Sequence, residues 1–113
     1  MPTPEGLIKN AICEYLCFVK GCMFWINSST GIYDPKKGIF RCNRSRFQKK
    51  GTADILGIYK GKPFAIEVKT KSGKLSVDQR RFLKEFESFG GIAIVARSVD
   101  DVIKELKNVD QRE

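Results

Sequence analysis

The sequence predicts an α/β domain, a mixed four-stranded sheet flanked by helices, in the order helix, three strands, helix, strand, helix. Three observations predict it. Residues 53–59 and 64–68 are apolar runs on either side of Lys60-Gly61-Lys62-Pro63, the pattern of a hairpin. Residues 3–19 and 76–89 carry apolar side chains at helical spacing, and each run opens on a capping residue. Residues 92–95 are apolar without a break, as in an interior strand, and follow the second helix after Gly90-Gly91. Strand, helix and strand with a single crossover make 64–69 and 92–96 parallel neighbours with a right-handed connection. With 113 residues, 42% of them hydrophobic, the chain is large enough for one cored domain spanning 1–113.

The elements follow in order. Thr3 caps the first helix, Pro4 suits its first turn, and Glu5 suits the positive end of its dipole. Leu7, Ile8, Ala11, Ile12, Tyr15, Leu16 and Val19 form its apolar face, and Gly21 ends it. Glu5 lies on the rim of that face and leans inward, whereas Glu14, half a turn away, faces water. The plainer role for Glu5 is a dipole-stabilising acid. Cys22 to Ile26 reads as a strand, with Trp25 assigned to the core. Ile32-Tyr33 and Ile39-Phe40 flank a loop or irregular hairpin. Pro63 cannot donate to a ladder, so it belongs at a strand start. Ser76-Val77-Asp78-Gln79 opens the second helix as a capping box, and Phe82, Leu83, Phe86 and Phe89 form its buried stripe. Ser98-x-x-Asp101 caps the last helix, with Val99, Val102, Ile103 and Leu106 inward and a polar tail from Asn108.

The chemistry concentrates at the end of the hairpin. Alternate strand residues share a face, so Glu67 and Lys69 point one way and Ile66 and Val68 the other. A carboxylate and an ammonium closing an apolar strand are costly unless paired or binding something. Asp54, leading the neighbouring strand, reaches the same spot. Phosphodiester hydrolysis needs a hard cation to polarise the phosphoryl oxygen and lower the pKa of an attacking water. Mg²⁺ takes oxygen ligands, and Asp54, Glu67 and the Val68 carbonyl supply them. Lys69 is placed to orient the water or offset charge on the phosphate. The competing explanation is a surface salt bridge on an edge strand, which contributes little to stability. Gln79 is explained as a cap partner and also faces the site from the helix's first turn.

The net charge of +8 favours an anionic partner. Seven bases and no acid lie between residues 36 and 50: Lys36, Lys37, Arg41, Arg44, Arg46, Lys49 and Lys50. The rest of the chain is almost neutral, so the excess precedes the candidate site. Such a loop contacts phosphates and releases their counterions, or is simply a solvated charge run. Lys71 and Lys74 add a second basic loop just after Lys69. Trp25, Tyr33, Phe40 and Phe47 are near enough to the first loop to stack on bases. Cys13, Cys17, Cys22 and Cys42 lack the paired spacings of zinc sites and there is no His, so reduced thiols are expected. No apolar run is long enough for a membrane span and no signal peptide is read at the start, so a cytoplasmic protein is expected.

Gly51-Thr52-Ala53-Asp54, Ile66-Glu67-Val68-Lys69, Gly73-Lys74-Leu75-Ser76, Gln79 and Gly90-Gly91 fall in order along the predicted elements. In this the chain resembles the VRR-NUC family of the PD-(D/E)XK nuclease superfamily over nearly its whole length. Ala53 departs from the Pro of the superfamily's name, at a position that shapes a turn and holds no metal. The resemblance implies a restriction-endonuclease-like αβββαβα core and a metal-dependent endodeoxyribonuclease. It implies Mg²⁺ or Mn²⁺ on Asp54, Glu67 and the Val68 carbonyl, with Lys69 activating water. Glu5 would support the metal through a water or bind a second ion, and Gln79 would hold the site or a phosphate. It further implies a stand-alone phage or bacterial type, working in the bacterial cytoplasm as a homodimer on branched DNA such as a four-way junction. Two other enzymatic readings are a sequence-specific and a simple DNA endonuclease. Outside catalysis stand a nucleic-acid-binding module of the same fold and an RNA-binding or ribosome-associated protein. The carboxylates facing the phosphate side and the lack of RNA-binding signatures weigh against the last two.

Overall fold

The computed structural model describes residues 3–27, 32–41 and 46–112, with 32–34 and 39–41 described as backbone only. The elements are α1 (Pro4–Leu16), β1 (Cys22–Ile26), β2 (Ile32–Asp34), β3 (Ile39–Arg41), β4 (Ile55–Tyr59), β5 (Lys62–Val68), α2 (Val77–Ser88), β6 (Ile92–Ala96) and α3 (Val99–Gln111). The main sheet runs β1-β4-β5-β6, antiparallel except for the parallel β5–β6 pair. This is the mixed four-stranded sheet the periodicity predicts. The segment read as a loop or irregular hairpin is a short antiparallel ladder, β2–β3, in a separate two-stranded sheet.

The pleat divides the core in two. Ile55, Tyr59, Phe64, Ile66, Val68, Ile94 and Ala96 face α1 and α3, where they meet Ile12, Leu16, Val102, Leu106 and Val109. Ala53, Ala65 and Leu83 centre the smaller layer under α2, with Leu56, Phe82, Phe86 and Val95 against it. Successive β5 residues thus bury opposite faces, which is why the strand reads as continuously apolar around one acid. β4 and β5 are joined by Lys60-Gly61, both at positive φ (49° and 84°), with Tyr59 opposite Lys62. Two left-handed residues match a hairpin turn to the strand twist. Pro63 is the second residue of β5 and lies opposite Ile58, in the non-hydrogen-bonded pair next to the turn. Its missing N–H would have pointed toward β6, whose pairing starts only at Phe64.

Several boundaries and facings differ from the sequence expectation. α1 ends at Leu16, where Phe18 and Val19 donate to Tyr15 and Leu16 carbonyls in a tightened final turn. Leu7 and Ala11 are exposed, so the buried stripe is the narrower Ile8, Ile12, Leu16 row. Trp25 is 47% exposed, because α2 covers only the β5–β6 half of its sheet face. Phe89 caps α2 rather than lying within it and is 86% exposed. α3 runs on through the expected tail to Gln111 and buries Val109. Ser98 makes no side-chain cap; Asp101 instead accepts the Arg97 N–H at 2.8 Å. The Thr3 and Ser76 caps form as expected.

Candidate active site

β5 delivers Glu67 and Lys69 to the α2 face because each lies an even number of residues from Ala65, which packs under α2. Glu67 is 2% exposed. Its Oε1 accepts from Gln79 Nε2 at 2.6 Å and lies 3.9 Å from Lys69 Nζ. Its Oε2 is buried and has no hydrogen-bond partner among the described residues. Burial first, and then the Asp54 carboxylate, push the Glu67 carboxyl up to about 7. The Lys69 charge and the Asp54 main-chain N–H pull it back, and Glu5 adds the smallest upward push.

Asp54 is fixed at both ends. Its Oδ2 accepts the Val68 N–H at 2.8 Å, and its carbonyl accepts the Asn27 N–H at 2.8 Å. The first bond ties the head of β4 to the residue between Glu67 and Lys69, so register alone brings the two carboxylates together. Glu5, half-buried at the start of α1, reaches Glu67 through its charge. Gln79 serves two purposes. Its Oε1 accepts the Ser76 N–H at 2.9 Å, completing the capping box, while its Nε2 holds Glu67. Gly51, at φ +75°, packs so closely on α2 that a Cβ there would strike the Asp78 carbonyl and the Gln79 nitrogen.

Arg97 was not singled out from the sequence. Its Nη1 donates to the carbonyls of Thr70 (2.5 Å), Gly73 (2.7 Å) and Lys71 (3.3 Å), holding the loop that follows Lys69. The available signal was its position just past the strand that parallels β5. Of the basic residues, Lys36 and Lys37 are exposed in the turn between β2 and β3. Arg46 lies over the Phe47 ring at 4.7 Å, and Lys49 pairs with Glu85 at 2.6 Å. Lys50, Lys71 and Lys74 are exposed. The Arg41, Tyr33 and Phe40 side chains, together with Arg44 and Cys42, lie outside the described residues. Cys13, Cys17 and Cys22 are free thiols, and burial raises the pKa of Cys13 and Cys22.

The donor set fits a small hard cation. A buried carboxylate oxygen with no partner, beside a second carboxylate, is an expensive arrangement that a cation relieves. Among the described residues no three acidic, Cys or His side chains converge into a closed cage. Mg²⁺-type ions do not need one, since they are held by one or two carboxylates with water and phosphate filling the rest.

No curated protein matches the chain. A family model does, the VRR-NUC domain, over residues 34–100, which starts at the last residue of β2 and takes in β3 through β6 and with them Asp54, Glu67, Lys69 and Gln79. With well over half its length covered by that match and its acids gathered at the end of a mixed sheet, the chain belongs to the VRR-NUC family and carries a nuclease domain that acts on DNA.

Proposed function

We propose that the protein is a metal-dependent, structure-specific DNA endonuclease that acts as a homodimer on branched DNA such as a four-way junction. The observation that carries the metal dependence is the buried, unpartnered Oε2 of Glu67 beside Asp54. Asp54, Glu67 and the Val68 carbonyl would hold Mg²⁺ or Mn²⁺, with Glu5 acting through a water. When bound, the ion polarises the phosphoryl oxygen and lowers the pKa of the attacking water.

The protein's own groups do the rest. Gln79 engages Oε1 of Glu67 and so leaves the buried Oε2 as the oxygen available to the ion. Glu67, its carboxyl pushed up to about 7, would hold the cation in its deprotonated form, which is within reach at neutral pH. Lys69, on the same strand face, donates toward the attacking water or the phosphate oxygens as charge builds there. Asp54 keeps β4 and β5 in register through the Val68 amide, so the ligands do not drift apart. Lys36, Lys37, Arg46, Lys50, Lys71 and Lys74 bring the phosphate backbone to this point. The branched-DNA and homodimer parts rest on the family resemblance, and paired cuts on a symmetric substrate suit paired sites.

The test is cleavage of a labelled four-way junction beside linear duplex, flap and single strand, in Mg²⁺, Mn²⁺ or EDTA. Wild type is run against Lys69→Ala and Asp54→Asn. Metal-dependent paired cuts on the junction, lost in both variants, are expected. Equal cutting of linear duplex would remove the structure preference. Tight binding with no cutting under any condition would leave only a binding module.

A further inference from the structure

A cavity of 530 Å³ opens on the α2 face of the sheet, and its lining reaches Thr52, two residues before Asp54. Trp25, Phe82, Phe86 and Phe89 wall it, over Leu56 and Ile58. Trp25 and Phe89 are 47% and 86% exposed, so two large rings stand in water where a folded domain would ordinarily cover them. The mouth is charged. Lys49 and Glu85 bridge it at 2.6 Å, and the adjoining turn exposes Lys50 and the Arg46–Phe47 stack. The pair at the mouth is neutral, and the positive charge lies beside it on Arg46 and Lys50; aromatic walls next to exposed cations are the kind of surface on which unstacked bases of a single strand bind.

We infer that this cavity receives an unpaired nucleobase of the substrate. The inference rests on the nuclease reading above and gives that reading a source of structure preference. Size supports it, since the volume lies in the range of small-ligand sites and suits one ring system with its sugar. Position supports it too. Gln79 in the first turn of α2 holds Glu67, and Phe82 and Phe86 follow one and two turns on. From Gln79 to Phe86 is about 10 Å along the helix, roughly three stacked nucleotides from the scissile phosphate. A base inside a duplex cannot enter a walled cavity. A base at a branch, gap or flap is already free to do so. The walls carry almost no hydrogen-bonding groups, so the site selects an unpaired base without selecting which base.

The experiment measures binding in EDTA of a gapped duplex carrying 2-aminopurine as an unpaired base, beside the fully paired duplex of the same sequence. Wild type is compared with Phe89→Ala, Trp25→Ala and Phe89→Tyr. Phe89→Ala is chosen because its ring is mostly in solvent, so folding is not at stake. Wild type should quench the probe. Each alanine variant should lower the gapped-to-paired affinity ratio by about five- to 150-fold, the usual range for one base stack, and Phe89→Tyr should keep the wild-type ratio. No quenching, or equal loss on both duplexes, overturns the assignment. So does a dimer-to-monomer shift in sedimentation without quenching, which gives the face to a second copy of the chain. Quenching by a wild type that never cuts with metal supports the cavity and sinks the nuclease reading instead.

Discussion

Gln79 Nε2 donates to Glu67 Oε1 at 2.6 Å, joining the cap of one helix to the buried acid of a strand. The same side chain closes the capping box on Ser76. Helix placement and carboxylate orientation are therefore one interaction.

Two variants separate the two jobs. Ser76→Ala removes the cap but leaves the amide near Glu67, and should cost about 1 kcal/mol of stability with little change in cleavage. Gln79→Ala should cost a similar amount and also reduce cleavage at least tenfold, about the value of one hydrogen bond to a charged group. Thermal denaturation and single-turnover cleavage read the two effects. Equal activity loss in both variants would show that only the helix position matters.

The raised pKa of Glu67 sets a pH dependence. In EDTA the folded acid titrates near 7 and the unfolded one near 4.5. Between those values the folded state holds the proton more tightly, so this group's contribution is fully present below pH 4.5 and is lost as pH rises to 7. The loss is no more than about 3–4 kcal/mol. The difference in stability between wild type and Glu67→Gln should therefore change across pH 4.5–7 and level off above it, measured by urea unfolding. Divalent cation should recover wild type at pH 8 and leave the variant nearly unmoved.

Gly51 should tolerate no side chain. Its φ is +75°, and a Cβ would meet the backbone of Asp78 and Gln79. Gly51→Ala should destabilise by roughly 2–3 kcal/mol through strain and overlap. It should also lower cleavage, because the first turn of α2 must move and carries Gln79 with it. Urea midpoints and cleavage rates test both. Full activity with only lost stability would show that α2 shifts without disturbing Glu67.

Lys36→Gln with Lys37→Gln should weaken DNA binding without touching the cleavage step at saturation. Each lost phosphate contact should lower the slope of log affinity against log salt by about 0.9 on duplex. A slope unchanged by the double variant would place the turn between β2 and β3 away from DNA.

The site was legible in the sequence where one local rule decides direction. Strand alternation alone puts Glu67 and Lys69 on one face and Val68 on the other. The capping box placed Gln79 at the first turn of α2, and the hairpin register carried Asp54 to the level of Glu67, where its carboxylate takes the Val68 N–H. What periodicity could not give was coverage. Trp25 and Phe89 read as core because they are large and apolar, yet α2 lies too far toward β6 to cover Trp25, and Phe89 sits at the helix's C-cap, past its buried stripe. Leu7 fails for a related reason: α1 meets the sheet along a stripe narrower than its apolar face. Arg97 was missed because its partners are three carbonyls about 25 residues upstream, and main-chain acceptors leave no mark in a sequence. The unpartnered oxygen of Glu67 is likewise a property of the assembled interior.

The pairing of β5 with β6 has a consequence for the order of assembly. The Lys69 N–H is held by the Ala96 carbonyl, and the loop after it by Arg97. Both come from the end of β6, made by the ribosome well after the strand they anchor. Parallel pairing across an intervening helix is a distant contact and forms late. A nascent or truncated chain that stops before β6 carries every acid and the lysine but cannot hold the lysine's backbone. The DNA-cutting centre is thus withheld until β6 has joined the sheet.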